Sequence, residues 1–193
     1  MSPSIRHSHF AASRHVTAWQ MLERAHVAPG QTVVIHGAAG NVGAFAAQIA
    51  GSFGARVIGT VRTSASAHRV RELGADEVIA LESAARFAKQ ADIVLDTVGG
   101  RSQSLLFELI KPHGVIVSSV SPPDPARAAQ TQVRADYFIT QVNTASLNKI
   151  TALVEAGTLK MGAILHLSEV RITHEMLDGT RPRPDGKIVL YSA

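Results

Sequence analysis

Short apolar runs alternate with segments of helical pattern from residue 32 to residue 120, and this alternation restricts the possible folds more than any other feature of the chain. The apolar runs are nearly continuous, as in parallel strands that are covered on both faces. Strands that alternate with helices form βαβ units. The sequence therefore predicts an α/β fold with a doubly wound parallel sheet of six strands and helices on both faces.

The bounds of the predicted elements follow from these runs and from turn residues such as Pro29-Gly30. Strands are expected at 32–36, 56–61, 77–81, 92–98, 114–120 and 137–140, with helices between them at 42–53, 65–73, 83–90 and 101–110. The later pattern predicts a loop or crossover at 121–130, a helix at 144–156, a short run at 163–167, a helix at 168–178, a linker at 180–186 and a closing strand. The chain thus ends in a helix and strand extension of the sheet domain.

The first predicted strand runs into a cluster of small residues, HGAAGNVG, at 36–43. In the register Ala38-x-Gly40-x-x-Gly43, Gly40 would let the backbone approach a pyrophosphate and Gly43 would let the next helix pack close to the strand. The N-terminus of that helix, near Val42, would add unpaired N–H groups and the positive end of a dipole. No Gly-Lys-Ser/Thr follows, which excludes a P-loop. The motif predicts a dinucleotide-binding Rossmann fold, and a tight turn without a ligand is the alternative.

The residues after the second predicted strand indicate which dinucleotide would bind. NAD-binding domains place Asp or Glu about twenty residues beyond the glycines, on the ribose hydroxyls. This sequence has Val61 there, followed by Arg62, Thr63 and Ser64. Arg62 and the hydroxyls could hold a 2′-phosphate that a carboxylate would repel. NADPH is therefore expected rather than NADH, and the alternative is that Arg62 is a solvated loop charge.

Composition excludes several classes of protein. The 193 residues include no Cys, so disulfides, thiolate nucleophiles and Cys-ligated zinc are excluded, and no metal is expected. The formal net charge of +4 is too small to indicate nucleic acid. No apolar run reaches ~20 residues and no secretory apolar region is present, so we expect no membrane partner and a cytoplasmic location.

Several motifs follow one another in the order of a known family. They are VTAWQML from Val16, VVIHGAAGNVG, LGADEVI at 73–79, DIVLDTVGG at 92–100, KPHGVIVSSV at 111–120 and GKIVL at 186–190. In this combination the chain resembles the quinone oxidoreductase or zeta-crystallin-like branch of the medium-chain dehydrogenase/reductase superfamily. The resemblance runs from about Val16 to the C-terminus. It implies a zinc-independent enzyme that reduces a quinone or a conjugated carbonyl (an enone) with NADPH.

The resemblance also implies a set of residues that contact the cofactor. The matched positions are Thr17 beside the nicotinamide, Ala39, Gly40, Asn41, Val42 and Gly43 at the pyrophosphate, Thr97, Val98 and Gly99 after the fourth strand, Ser119 and Val120 after the fifth, and Tyr137 and Phe138 near the nicotinamide. Arg62 and Ser64 complete the expected site. No catalytic residue is assigned, because His36 is expected to be structural and Tyr137 is the other candidate proton donor.

Two positions depart from the family near the 2′-phosphate. Many relatives carry a Tyr and a Lys where this chain has Leu81 and Ser66. Arg62, His68 and Arg69 are the candidate substitutes for them.

The resemblance divides the chain into three parts. Residues 1–15 are unmatched, 16–178 form the dinucleotide-binding domain, and 179–193 form a linker and a strand that belongs to the catalytic domain in relatives. Full-length relatives begin with a GroES-like domain that forms most of the substrate cleft, and residues 1–15 do not match it. The alternative to an active enzyme is therefore a truncated, weakly active or inactive NADP(H)-binding module that acts as a sensor or assembly subunit.

The C-terminal strand indicates whether the chain should associate with another chain. Without a GroES-like domain, residues 187–191 are expected to have no sheet to join and to expose an apolar edge. We therefore expect a homodimer or a recruited partner. The expected route is two-fold pairing through the edge of the sixth strand, near Tyr137 to Thr140.

Overall fold

A parallel sheet of six strands forms the centre of the computed structural model, which describes residues 9–62, 64–159, 163–182 and 188–191. The strands are β1 Thr32–His36, β2 Arg56–Val61, β3 Glu77–Ala80, β4 Ala91–Asp96, β5 Ile110–Ser118 and β6 Arg134–Tyr137. They lie side by side in the order β3-β2-β1-β4-β5-β6. The prediction of an α/β fold with a doubly wound parallel sheet is confirmed.

Helices cover both faces of this sheet. They are α1 His9–Ala25, α2 Asn41–Ser52, α3 Ala67–Glu72, α4 Gln103–Leu109, α5 Pro125–Thr131, α6 Thr144–Glu155 and α7 Val170–Asp178. Short 3₁₀ helices lie at Ser64–Ser66, Leu81–Phe87, Gly100–Ser102 and Leu167–Glu169. Within the described ranges, no helix is both long enough and apolar enough to cross a membrane.

The core lies on the two faces of the sheet because successive strand residues point to opposite sides. In β1, Val33 and Ile35 belong to a buried cluster with residues of α1, α2 and α6, whereas Val34 belongs to a second cluster with residues of α4 and α5. All three side chains are fully buried. Burial of each contributes about 1.5–3 kcal/mol. β1 is therefore fixed from both sides, and so is the glycine cluster that follows it.

A helix that the sequence does not predict opens the described part of the chain. α1 crosses the boundary expected at residue 15. Met21 and Leu22 of this helix are buried in the cluster that includes α2, and the ring of His15 packs on that of Phe45 with centroids 3.7 Å apart. The first turn of α1 holds no acidic residue to signal a helix start. Tertiary packing rather than a local signal therefore stabilises it.

The sixth strand lies three residues earlier than predicted. The sequence favours 137–140, but β6 pairs in parallel with β5 from Val115 opposite Arg134 to Ser118 opposite Tyr137. The N–H of Phe138 donates to the carbonyl of Ser118 at 3.3 Å. Because β5 ends at Ser118, the pairing ends there too, and the apolar residues that follow lie outside the strand.

Two local predictions differ from the structure for identifiable reasons. The segment 121–130, predicted as a loop or crossover, contains α5, a helix in the crossover from β5 to β6. Its N-terminus is capped by Asp124, with Pro125 in the first turn. The helix predicted at 83–90 is instead a 3₁₀ helix that ends at Phe87. Lys89 has a left-handed φ of 55°, so helical geometry cannot continue to residue 90.

The C-terminal strand finds a partner within the chain, which corrects the expectation that it has no sheet to join. β7 Ile164–His166 and β8 Val189–Tyr191 form a two-stranded parallel sheet in which Leu165 lies opposite Leu190. α7 lies between them in sequence, so the segment is a small βαβ unit. Lys187 lies outside the described residues. The strand therefore does not by itself require a second chain.

Candidate functional site

The order of the strands creates a crevice at the carboxyl ends of β1 and β4. The chain leaves β1 toward β2 on one side of the sheet order and returns to β4 on the other, so the two strands flank a topological switch point. His36 and Asp96, the last residues of the two strands, lie opposite each other. Ligands of open α/β sheets bind at such a point.

Gly37 turns the chain as it leaves β1. Its φ of 83° favours glycine, and a Cβ there would lie 2.6 Å from Cγ2 of Val98 and 2.7 Å from Oγ1 of Thr97. The glycine motif predicts roles for Gly40 and Gly43 but none for Gly37. The signal was its place directly after the strand, where the tightest part of the turn falls.

Gly43 lets α2 approach this turn closely. A Cβ on Gly43 would lie 2.3 Å from the carbonyl oxygen of Gly37 and 2.8 Å from Cα of Ala38. No side chain fits at that distance, so the packing role expected of Gly43 agrees with the structure.

The N-terminus of α2 opens into the crevice without a side-chain cap. Gly40 is its N-cap residue, and the first turn holds no acidic residue. Gly40 and Asn41 are exposed, while Ala39 and Val42 are half-buried. The first N–H groups of a helix have no partner within it and carry partial positive charge. This turn is therefore suited to bind an anion.

The buried carboxylate of Asp96 shapes the loop after β4. Asp96 is 0% exposed. Its Oδ1 accepts from the N–H of Val98 at 3.0 Å and of Gly99 at 2.8 Å, and its Oδ2 accepts from Nε2 of Gln103 at 2.8 Å and Oγ of Ser118 at 3.2 Å. These four bonds satisfy a buried charge that would otherwise be costly. They also hold the loop in place at the crevice.

The loops after β4 and β5 contact each other. Gly99 has a φ of 71°, and a Cβ on it would lie 2.8 Å from Oγ of Ser121 and 3.0 Å from Cγ2 of Val120. Val98 is 53% exposed, Ser119 is half-buried, and the hydroxyl of Thr97 donates to the carbonyl of His36 at 2.7 Å. Two apolar side chains, those of Val98 and Val120, are thereby left exposed at the mouth of the crevice.

Thr17 and the segment after β6 meet on one side of α1. Thr17 is 8% exposed; its hydroxyl donates to the carbonyl of Ser13 at 2.7 Å and lies 2.7 Å from the hydroxyl of Thr140. Phe138 is buried, with the guanidinium of Arg24 4.7 Å from its ring centroid. Thr17 can therefore accept a further hydrogen bond but has no proton left to donate.

Tyr137 lines an open groove rather than a closed pocket. The groove has a volume of about 490 Å³, and its lining includes Gln20, Arg24, Tyr137, Ile139 and Gln141. Ile139 is 77% exposed. The groove therefore lies between α1 and the segment that follows β6.

The segment after β2 carries an exposed arginine side chain at the same end of the sheet. Arg62 follows the last residue of β2 and is exposed. Ser64 lies on the 3₁₀ helix Ser64–Ser66, and Thr63 lies outside the described residues. No ion pair of Arg62 occurs within the described part of the chain. Arg62 is therefore available to an anionic ligand.

His36 is buried at the centre of the site, with 7% of its surface exposed. Its Nδ1 lies 2.7 Å from Oγ1 of Thr60, and its Nε2 lies 3.0 Å from Oγ of Ser102. Burial lowers the pKa of His36 below its ordinary 6.5, although the charge of Asp96 acts in the opposite direction. Both ring nitrogens are engaged, which agrees with the structural role expected from the sequence.

Metal ligands do not cluster in this site. Within the residues that the structure describes, no group of three or more His, Asp or Glu side chains could hold a metal ion. The sequence contains no Cys to supplement them.

Comparison with known proteins relates this chain to one family in sequence. The family model described as zinc-binding dehydrogenase matches residues 41–139. The quinone oxidoreductase of Pseudomonas aeruginosa is 27% identical over 154 residues, covering 74% of this chain and 47% of that protein. The acryloyl-coenzyme A reductase of Metallosphaera sedula is 32% identical over 170 residues, covering 81% of this chain and 50% of that protein. The chain thus spans about half the length of these curated relatives.

The solved structures give the same relationship. The structure of the quinone oxidoreductase from Coxiella burnetii matches with a TM-score of 0.74 and 30% sequence identity. The match covers 92% of this chain and 58% of that one. The similarity therefore includes nearly all of this chain and a little over half of its neighbour.

Proposed function

Because the chain belongs to the zinc-binding dehydrogenase family and corresponds to the nucleotide-binding half of medium-chain dehydrogenases/reductases, we propose that it binds NADPH for hydride transfer to a quinone or a conjugated carbonyl. The uncapped N-terminus of α2, between Gly40 and Gly43, is the observation that carries the proposal. The names of two relatives, a quinone oxidoreductase and an acryloyl-coenzyme A reductase, support the substrate class.

The crevice residues fit a dinucleotide. The backbone of residues 39–42 would hold the pyrophosphate, because the helix N-terminus there is uncapped and open. The loops of Thr97 to Gly99 and of Ser119 and Val120 would border the nicotinamide half. Thr17 could accept a hydrogen bond from the carboxamide, since its own proton is donated to Ser13. In this proposal Tyr137 borders the same end, and Phe138 supports it from the core.

The preference for NADPH rests on the end of β2. Arg62 is exposed and directly follows Val61, which stands where an NAD-binding domain would carry an acid. A guanidinium can bind a phosphate through two parallel hydrogen bonds. We therefore assign the 2′-phosphate to Arg62, with Ser64 beside it, and expect NADH to bind more weakly.

This chain would contribute binding and orientation rather than acid–base chemistry. Bound NADPH supplies the hydride. The exposed Val98 and Val120 would exclude water from the mouth of the crevice. No proton transfer is assigned to His36, because Thr60 and Ser102 engage both of its nitrogens.

Zinc is not part of the proposal, although the family description refers to it. The described residues provide no set of His, Asp and Glu ligands, and the sequence has no Cys. The donor set of the described residues therefore does not fit a zinc ion.

A second candidate function is an NADP(H)-binding module with little or no turnover. It is favoured by one observation: Thr60 and Ser102 engage both ring nitrogens of His36, so this residue is not free to transfer a proton. A module of this kind could sense the cofactor or serve as a subunit of an assembly. It would share the binding site and differ in catalysis.

For assembly we propose a homodimer formed through the edge of β6. β6 is the last strand of the sheet, so one side of its backbone is unpaired within the sheet. Ile139, two residues beyond its end, is 77% exposed. Burial of such a side chain at a two-fold interface would remove it from water.

Binding and turnover together test the proposed function. Calorimetric titration should show NADPH binding tighter than NADH, and Arg62→Ala should weaken NADPH binding roughly tenfold or more, since a charge-assisted bond contributes ~1.5–3 kcal/mol. Arg171→Ala, which removes an exposed arginine on α7, is the matched control. Oxidation of NADPH with a panel of quinones and enones then separates the enzyme from the module. Equal affinities for both cofactors would contradict the NADPH assignment.

A further inference from the structure

His36 is a buried titratable residue to which the proposed function gives no task. It ends β1, directly before the glycine turn, and it lies opposite Asp96 at the switch point. Its two ring nitrogens contact two different elements: Thr60 near the end of β2, and Ser102 on the 3₁₀ helix after β4. The side chain therefore connects three neighbouring segments of the crevice.

The direction of the hydrogen bonds fixes its tautomer. The hydroxyl of Ser102 has one proton, and it donates this proton to the carbonyl of Gly99 at 2.8 Å. Ser102 must then accept from His36, which places a proton on Nε2. Nδ1 is left with a lone pair and accepts from the hydroxyl of Thr60. The oxygen of Thr60 in turn accepts from the N–H of Gly37 at 3.3 Å.

A single chain of hydrogen bonds thus joins the two turns that flank the crevice. It runs from the N–H of Gly37 through Thr60, His36 and Ser102 to the carbonyl of Gly99, and every donor points in the same direction. Gly37 begins the turn that leads to α2. Gly99 lies in the loop that Asp96 holds after β4. Both glycines have positive φ, so neither turn is a regular element that would hold its own position.

We propose that His36, as the neutral Nε2–H tautomer, is a positioning residue that fixes the spacing between the glycine turn and the loop after β4, and thereby sets the affinity of the crevice for a dinucleotide. The inference rests on the proposed function for its ligand. Its structural part, the order of the loop at residues 97–102, does not depend on any ligand.

Protonation would reverse one bond of this chain. A second proton on Nδ1 would donate to the oxygen of Thr60, whose own proton then loses its acceptor. The charged groups on the surrounding elements are Asp96 at the end of β4, Arg62 beyond β2 and Arg101 on the 3₁₀ helix. Asp96 raises the pKa of His36, but burial lowers it more. The neutral form therefore persists below the ordinary pKa of 6.5.

Four variants separate positioning from simple packing. His36→Gln keeps a side-chain N–H that can reach Ser102 and cannot titrate. His36→Leu keeps a similar volume without a donor, and Ser102→Ala removes the partner. Ser104→Ala is the matched control, because its hydroxyl donates to the carbonyl of Arg101 at 3.0 Å without contacting His36.

Two measurements apply to each folded variant. In calorimetric titration with NADPH, His36→Leu and Ser102→Ala should bind about three- to tenfold more weakly than the unaltered chain, as expected for loss of one hydrogen bond. The affinities of His36→Gln and Ser104→Ala should stay within about twofold of the unaltered chain. On acidification below pH 6.5, the affinity of the unaltered chain should fall more than that of His36→Gln. In hydrogen–deuterium exchange without cofactor, the amides of residues 97–102 should exchange faster in His36→Leu and Ser102→Ala than in the controls.

The outcomes distinguish this inference from the proposed function. If the unaltered chain binds neither NADPH nor NADH, the proposed function fails, and the exchange experiment still decides whether His36 orders the loop. If His36→Leu and Ser102→Ala bind NADPH as the unaltered chain does, or show unchanged exchange at 97–102, His36 is a packed core residue and the inference is overturned.

Discussion

The backbone N–H of Gly99 donates a 2.8 Å hydrogen bond to Oδ1 of Asp96, so a fully buried carboxylate determines the path of the loop at the switch point. The same carboxylate reaches β5 through Ser118 and α4 through Gln103. One side chain therefore holds together three segments that border the crevice. The position is sensitive to changes in charge and in hydrogen-bond direction.

Asp96→Asn should destabilise the fold by about 1–3 kcal/mol, because an amide N–H₂ would face the donors of Gln103 or the loop backbone and leave a buried polar group unsatisfied. Urea unfolding followed by circular dichroism measures the change. Asp124→Asn is the control, since Asp124 caps α5 and Asn caps a helix equally well. Equal stability of Asp96→Asn and the unaltered chain would show that the loop does not depend on the carboxylate.

Substitution by Ala at two glycines of α2 should change the stability of the protein in opposite directions. Gly43→Ala places a Cβ 2.3 Å from the carbonyl oxygen of Gly37 and should cost ~2–3 kcal/mol, because backbone must shift. Gly51→Ala meets its nearest atom at 3.7 Å and should stabilise the helix by ~0.5–1 kcal/mol. Thermal unfolding of both variants checks the pair. A stable Gly43→Ala would mean that α2 does not pack against the turn as described.

The stability of the chain should fall as the pH drops below 6.5. Burial lowers the pKa of His36 in the folded state, whereas the unfolded state keeps the ordinary 6.5. Between the two values the unfolded state binds a proton that the folded state does not, so acidification favours unfolding until the pH passes the folded pKa. The free energy of unfolding, measured against pH, should fall less in His36→Gln. Parallel curves for the two proteins would contradict this.

The sheet could be predicted from the sequence because β1, β4 and the second half of β5 contain continuous apolar runs, and β1 has the bounds that the sequence indicates. The limits of β6 could not be predicted in this way. The apolar run after Tyr137 indicates a strand locally, whereas the pairing stops where β5 ends. The pairing of β7 with β8 joins residues far apart in sequence, and no local pattern indicates it. Asp124 followed by Pro125 is typical of a helix start, but the surrounding prolines favoured the prediction of a loop or crossover.

The candidate site could be predicted in part. Gly43 follows from the spacing of the glycine motif, and its packing role has a direct structural reason. Gly37 does not follow from that spacing, because its constraint comes from Thr97 and Val98, which approach it only when β1 and β4 lie side by side. The assignment of Arg62 to a 2′-phosphate stays a prediction.

The proposed assembly predicts a dimer in solution. Light scattering coupled to size exclusion should give about twice the chain mass of 20.4 kDa. Ile139→Lys should shift the chain toward the monomer, because a charge at the proposed interface would have to be desolvated. Leu177→Lys, on an exposed position of α7, is the control and should leave the mass unchanged. A monomeric unaltered chain would exclude pairing through β6.

Calorimetric titration of NADPH into the unaltered chain and into Gly40→Val tests most directly whether the turn at α2 binds the cofactor. Gly40 has φ −77° and ψ 170°, an extended geometry that Val adopts readily. A Cβ there would lie 3.1 Å from the carbonyl oxygen of Gly37, so the turn must shift slightly, and circular dichroism checks that the variant is folded. A Val side chain would nevertheless stand at the uncapped helix N-terminus, where the pyrophosphate is proposed to lie. We predict saturable 1:1 binding to the unaltered chain and none to Gly40→Val. Unchanged NADPH affinity in the folded variant, or no binding by the unaltered chain, would contradict the account.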